Sequence, residues 1–291
     1  MISRRRFLQM ATASGAGFLS LGGYAVGIEA SFRLTVARWD MPLAGWPAGA
    51  KPLRAAILTD LHACEPWMPV ERIAAIVAQT NALAPDVVFM LGDYVGLAQM
   101  STRVPRPSEW AAPFARLTAP LGVHAILGNH DYTRVAGPRT VADALTAVGV
   151  QVLLNEAVKI ERDGHAFWVA GTESATVVRP FGRHDIGRAL AQVRDDAPVL
   201  LLAHEPAQIT GVPKRVALTL SGHTHGGQVR LPFVGAPIAR LHGDLAWVRG
   251  RYDVDGRPLL VSSGLGCSIL PVRFMVPPEV AVAEIRSAAI A

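Results

Sequence analysis

The sequence lacks several features that mark particular classes of protein. It has no internal repeat and no low-complexity linker, and nothing in it indicates a coiled coil, a collagen-like chain or a disordered protein. Beyond residues 10–28, no uninterrupted apolar run is long enough to span a bilayer. Because 51% of its 291 residues are hydrophobic, the chain can bury a large core. One catalytic domain after an N-terminal leader is therefore expected, rather than two domains.

Cysteine, lysine and excess charge are also scarce. The net charge of +5 falls to +3 without residues 1–30, which contain three arginines and one glutamate, and this is too small to indicate a nucleic-acid partner. There are only three lysines, a bias that fits genome composition better than phosphate recognition. The two cysteines, Cys64 and Cys267, leave both a disulfide and a pair of buried thiols open.

The first residues carry a targeting pattern. Ser3-Arg4-Arg5-Arg6-Phe7-Leu8 precedes an uncharged run from Met10 to Ile28, and together they resemble a twin-arginine export signal. This predicts the twin-arginine export machinery as a partner and a location in the periplasm or at the outer face of the cytoplasmic membrane. Small residues near position 27 permit cleavage, whereas the run nearly reaches bilayer length. Residues 1–30 are thus interpreted as a signal peptide or N-terminal anchor, and residues 31–291 as the catalytic domain.

From about Phe32 onward, short apolar runs alternate with amphipathic stretches, which is typical of an α/β or α+β layered domain. The apolar runs predict strands at Arg54–Thr59, Asp86–Leu91, Val123–Leu127, Pro198–Ala203 and Ala217–Leu220. Helical spacing predicts helices at Val70–Leu83, within Ser108–Leu117 and around Thr140–Val148. The strand-like region Val229–Ile285 is expected to complete a second sheet, with a hairpin turn at Asp255-Gly256.

Polar residues follow each predicted strand. They are Asp60-Leu61-His62, Gly92-Asp93, Gly128-Asn129-His130-Asp131, His204 and Gly222-His223-Thr224-His225. In layered α/β folds, ligands bind where the carboxyl ends of the strands meet. Each motif alone is weak, but the set supplies the carboxylate, amide and imidazole donors that two divalent cations about 3.5–4 Å apart require. The conjunction therefore predicts a two-metal hydrolase.

These motifs, with Gly226-Gly227-Gln228 and an end segment containing Gly264-Leu265-Gly266, Pro271-Val272-Arg273 and Pro277-Pro278-Glu279, give the chain a family resemblance. It resembles the calcineurin-like metallophosphoesterases, and specifically an exported bacterial branch with twin-arginine leaders. The resemblance covers essentially the whole chain after the leader. It implies a four-layer αββα sandwich of two mixed sheets flanked by helices. It also implies an enzyme that binds two divalent metal ions and hydrolyses phosphoesters by attack of a metal-bound hydroxide.

The resemblance also implies a role for each motif residue. Asp60, His62 and His225 would hold one metal, Asn129, His204 and His223 the other, and Asp93 would bridge them. The donor set suits Mn, Fe or Zn. His130 would be catalytic, donating to the phosphoryl oxygen or the leaving group, and Asp131 could fix its tautomer. The remaining histidines, at positions 124, 165, 184 and 242, are interpreted as surface or packing residues.

Substrate clues are less direct. Apolar loops at 66–69, 94–100 and 231–233 fit either a lipid-linked or membrane-bound substrate or ordinary packing. The leading hypothesis is a phosphodiesterase acting on a cell-envelope or lipid-linked phosphoester. The sequence leaves open whether the protein contacts the membrane surface. One alternative is a pyrophosphatase of nucleotide-linked acyl-glucosamine lipid, of the UDP-diacylglucosamine type. The other is a metal-stabilised envelope-binding protein without catalysis.

Overall fold

The structure is a computed structural model that describes residues 20–96, 100–133, 137–177, 184–237, 239 and 246–288. The predicted twin-arginine motif lies outside the described residues. Among the described residues, no helix has both the length and the apolar character needed to cross a bilayer.

Two six-stranded sheets form the centre of the fold. The strands are β1 (Thr35–Leu43), β2 (Leu53–Leu58), β3 (Val87–Met90), β4 (Val123–Ala125), β5 (Gln151–Val152), β6 (Glu156–Arg162), β7 (His165–Gly171), β8 (Val199–Leu202), β9 (Val216–Ser221), β10 (Gly250–Asp253), β11 (Pro258–Val261) and β12 (Glu279–Ser287). The first sheet has the order β1-β12-β2-β3-β4-β5, and the second has the order β10-β11-β9-β8-β7-β6. Both sheets are mixed, since β12 is antiparallel to β2 in the first and β6 is antiparallel to β7 in the second.

Helices and helical turns connect the strands. The α-helices are Val70–Ala82, Pro107–Ala111, Pro138–Thr146 and Ile186–Leu190; 3-10 turns occur at Ala112–Arg116, Asn129–Tyr132, Pro206–Gly211 and His225–Gly227; a π-helical turn at Tyr24–Glu29 continues into Ala30–Phe32. The predicted helix at 70–83 is confirmed to within one residue. Its buried residues Ile73, Ile76 and Val77 pack in one cluster with β3 residues such as Val88.

The side chains of each sheet alternate between two apolar cores. In β2, Ile57 faces a core that also contains Leu200 and Leu218 of the second sheet, whereas Ala56 and Leu58 face the helices. In β8, alternate residues join the core between the sheets and a third cluster beneath the helix Ile186–Leu190. The order helix, sheet, sheet, helix confirms the predicted four-layer αββα sandwich.

The C-terminal region departs from the prediction in one respect. The hairpin is confirmed: β10 and β11 are antiparallel, and Asp255 and Gly256 both have positive φ, as a two-residue hairpin turn requires. However, β12 does not extend the second sheet. It is inserted into the first, between β1 and β2, because its residues are buried on both faces and so favour an interior position.

Candidate active site

The polar motifs converge at the carboxyl ends of five strands. β2, β3 and β4 of the first sheet lead into Asp60, Asp93 and Asn129, while β8 and β9 of the second sheet lead into His204 and His223. Close contact between these strand ends depends on glycine. At Gly222, a Cβ atom would collide with the Thr59 hydroxyl and the Asp60 carboxylate, and at Gly92 it would collide with the Gly128 backbone.

The first group of side chains is Asp60, His62 and His225, whose donor atoms all lie within 4.8 Å of one another. The Nε2 atoms of His62 and His225 are 3.1 Å apart, and Nε2 of His225 is 3.5 Å from Oδ1 of Asp60. The Asp60 carboxylate accepts hydrogen bonds from the Thr59 hydroxyl and the His223 backbone. This is a compact N/O donor set of the kind that binds a transition metal.

The second group is Asp93, His204 and His223, again with donor atoms within 4.8 Å. Nδ1 of His204 lies 2.7 Å from the carbonyl oxygen of Leu91. Because a carbonyl only accepts, Nδ1 carries a proton and Nε2 is directed to the site, 3.3 Å from Nδ1 of His223.

Asp93 joins the two groups. Its Oδ2 atom is 3.5 Å from Nε2 of His62 and 3.2 Å from Nε2 of His204, and its Oδ1 accepts the backbone N–H of His130 at 2.8 Å. A third cluster, of His62, Asp93 and His130, overlaps both others. One carboxylate thus lies between two sets of imidazoles, as a bridging ligand requires.

Asn129 and His130 contribute unpaired polar atoms. Oδ1 of Asn129 and Nδ1 of His130 are buried, and neither has a hydrogen-bond partner among the described residues. A buried polar atom without a partner is costly, so a native structure normally supplies one. A cation would satisfy the Asn129 oxygen, which fits the predicted ligand role.

Burial and neighbouring charges favour the metal-binding forms of most of these groups, with His204 as the exception. Burial lowers the pKa of His62 to about 3, and burial also lowers the pKa values of His223 and His225. Neutral imidazole is the form that ligates metal. Burial would raise the pKa of Asp93, but the neighbouring imidazoles of His204 and His62 hold it well below its ordinary value. For His204, burial acts to lower the pKa, but the Asp93 carboxylate raises it well above the ordinary value, so a cation at this position would displace a proton.

Sequence comparison agrees with this geometry. Residues 53–227 match the calcineurin-like phosphoesterase family. The chain belongs to that family. It is similar to the metallophosphoesterase YkuE of Bacillus subtilis, with 29% identity over 98% of each chain, and to the phosphodiesterase YaeI of Escherichia coli, with 33% identity over 98% of this chain and 100% of the relative. The solved structure of NAD nucleotidase from Haemophilus influenzae matches 72% of this chain and 50% of its own, with 14% identity and a TM-score of 0.48.

The predicted ligand residues of this phosphoesterase adopt an unusual backbone conformation. Asp60, His62, Asp93, His223 and His225 all have φ between 47° and 69°. Asp60 and His62 lie beyond the end of β2 at Leu58, so strand alternation does not orient them. Their side chains meet because left-handed turns direct them there. Such turns cost of order 1–3 kcal/mol each and are typical of functional sites.

Asp131 differs from its predicted role as a partner of His130. One carboxylate oxygen accepts the backbone N–H groups of Tyr94 and Val95, and the other accepts those of Asp93 and Gly128, at 2.8–3.2 Å. Because both oxygens are directed to backbone amides and Nδ1 of His130 has no partner among the described residues, Asp131 does not fix the tautomer of His130. It instead ties together the turns that follow β3 and β4.

Two buried residues beside the predicted ligands were given no role from the sequence. Arg273, which is fully buried, donates to the carbonyl oxygens of Gly266, Ser263 and Val276 and lies 3.4 Å from Nδ1 of His225. Glu205 accepts hydrogen bonds from the backbone N–H of Ala175 and from three side chains, those of Ser174, Thr176 and Gln208. Arg273 lies in the end segment quoted above, but only its burial shows what it does. For Glu205, the one signal in the sequence is its position next to His204.

Other side chains near the motifs have structural roles. Tyr94 is buried, donates its hydroxyl to backbone carbonyls and stacks on Trp110 at 5.3 Å. Arg103 pairs with Glu65 and Glu109 rather than facing the site. Cys64 and Cys267 are both buried free thiols. His242 lies outside the described residues.

Proposed function

We propose that this chain is a metal-dependent phosphodiesterase of the cell envelope. The observation that carries the proposal is the position of Asp93, whose carboxylate lies between two groups of imidazoles. A similarity to a relative named as a phosphodiesterase, over nearly the whole length of both chains, supports the choice of a diester. The Ser3–Leu8 motif supports export by the twin-arginine route.

The residues would divide the work as follows. One divalent ion would be held by Asp60, His62 and His225, and the second by Asn129, His204 and His223. Asp93 would bind both ions. Mn, Fe and Zn suit these donors. Two such ions, when bound, lower the pKa of a water molecule and neutralise the negative charge that develops on the phosphoryl oxygens. His130 lies with its ring 4.7 Å from that of His62 and would donate a proton to the leaving oxygen.

Hydrolysis of a chromogenic phosphodiester and of its monoester tests this function. The metal-stripped chain is assayed with and without Mn²⁺, beside Asp93→Asn and His204→Asn, and His184→Asn is the control because His184 is exposed and outside the clusters. We expect metal-dependent turnover, faster on the diester, that is lost in both cluster variants and kept in the control. Bound metal without turnover on either substrate would contradict the enzymatic proposal and favour a binding protein.

A further inference from the structure

Exposed apolar side chains are concentrated in three segments of this chain. Of the ten large hydrophobic side chains that are exposed among the described residues, all except Met100 belong to 20–33, 227–235 or 268–276. They are Leu21, Ile28, Phe32, Leu231, Phe233, Val234, Ile269, Leu270 and Met275. Phe233 is fully exposed, at 110% of its reference area. We call these three segments the apolar rim. Such clustering is unusual on a surface that meets only water.

Hydrogen bonds join the three segments to one another. The backbone N–H of Arg273 donates to the carbonyl of Ala25, and the N–H of Val276 donates to the Glu29 carboxylate at 2.7 Å. Phe274 exchanges backbone hydrogen bonds with Gln228 and Arg230. The rim is therefore one continuous region rather than three separate loops.

The rim is attached to the active site. Gln228 follows the ligand His225 by three residues, and its side chain accepts the backbone N–H of Ser268 at 2.6 Å. Of the three loops singled out in the sequence, this one exposes several large apolar side chains, whereas in the described residues of the other two Met68, Tyr94 and Val95 are buried and Met100 is exposed. A surface in contact with the rim would lie beside the metal ligands.

The charges of the rim identify the surface that it fits. Its four charged residues are Glu29, Arg33, Arg230 and Arg273. Glu29 and Arg273 are buried, so the exposed charges, on Arg33 and Arg230, are both positive. Exposed apolar side chains flanked by arginine match a bilayer with anionic headgroups. In the sequence, the rim segment 20–33 overlaps the end of the uncharged run of residues 10–28.

We infer that the apolar rim inserts into an anionic lipid bilayer and holds the active site at the level of the headgroups. This deepens the proposed function, on which it rests, because it makes a membrane-embedded phosphodiester the substrate class. Side chains such as Phe233 and Met275 would enter the acyl boundary, while Arg33 and Arg230 would contact lipid phosphates.

A local fluorescence readout tests the insertion. The full-length chain carries Phe233→Cys or, as a control, Met100→Cys, because Met100 is also exposed but lies outside the rim; the native thiols are buried. Each is labelled with an environment-sensitive dye and mixed with phosphatidylglycerol-containing vesicles that include brominated lipid. We expect a blue shift and quenching at 233 and neither at 100. A label at 233 that stays in water, with the protein bound to vesicles or not, overturns the inference, as does burial of 233 by dimerisation without lipid.

Two further variants separate the apolar and the charged contributions to vesicle binding. Replacing Leu231, Ile269 and Met275 by Ser should weaken vesicle binding by on the order of tenfold for each side chain that is buried in lipid, whereas Met100→Ser should not. Arg33→Glu with Arg230→Glu should remove the preference for anionic over phosphatidylcholine vesicles. Equal binding by all variants overturns the inference. Turnover of a soluble diester is measured on the same samples as a separate check of the proposed function. If turnover is intact but the rim stays in water, the membrane insertion is rejected and the proposed function is not.

Discussion

Replacing Asp131 by asparagine should destabilise the protein and weaken metal binding. The carboxylate accepts four backbone N–H groups, two on each oxygen. An asparagine keeps one oxygen and presents an NH₂ group to the other pair, which leaves two buried N–H groups unpaired. Each costs about 1–3 kcal/mol, so the free energy of unfolding should fall by about 2–6 kcal/mol, a large share of the roughly 5–15 kcal/mol of a typical domain.

Thermal unfolding and metal content measure this effect together. The loss corresponds to a fall of roughly 5–20 °C in Tm. Metal affinity should fall too, because the turns that Asp131 joins also carry Asp93 and Asn129. Asp196→Asn, at an exposed position, is the control and should leave both quantities unchanged. If Asp131→Asn kept the native Tm and metal content but lost kcat, Asp131 would act on His130, and the positioning argument would be refuted.

Three other predictions follow from buried polar groups. Burial lowers the pKa of His62 from 6.5 to about 3, so the unfolded chain binds the extra proton, and the contribution of His62 to the free energy of unfolding of the metal-free protein should fall as the pH drops from about 6.5 towards 3; urea-midpoint profiles of the native protein and His62→Gln that run parallel over this range would contradict this. Cys64 and Cys267 are buried, and burial raises both thiol pKa values, to about 11 for Cys64, so a thiol reagent at pH 8 should modify neither before unfolding. Arg273→Lys should lower Tm far more than Arg188→Lys at an exposed site, because lysine cannot supply the guanidinium fork that binds three carbonyls; equal Tm values would refute this.

The strands and helices that position the site could be predicted because they are local patterns. Apolar runs such as 87–91 identify buried strands, and helical spacing identifies the helix Val70–Ala82. The polar residues at the strand ends were predicted for the same reason, since each motif interrupts an apolar run. The structure brings Asp60, His62, Asp93, His130, His204, His223 and His225 into overlapping clusters.

What the sequence could not show depends on contacts between distant segments. The left-handed turns at Asp60 and Asp93 are set by crossing strand ends, not by local propensity. The amides that bind Asp131 lie more than thirty residues from it in three of four cases, and the partners of Arg273 appear only once the fold has formed. The same limit explains why β12 was assigned to the wrong sheet, because burial on both faces does not say which sheet a strand joins.

The position of β12 has a consequence for how the molecule folds. β12 pairs with β1 in parallel over nine residues and with β2 through Ala281 and Ile57, so the first sheet is joined by residues at opposite ends of the described chain. Pairings of such high contact order form slowly. During synthesis, β2, β3 and β4 can assemble with the second sheet early, but β1 can join them only after β12 has left the ribosome. The segment 20–33 that precedes β1 is thus among the last parts of the protein to be fixed in place.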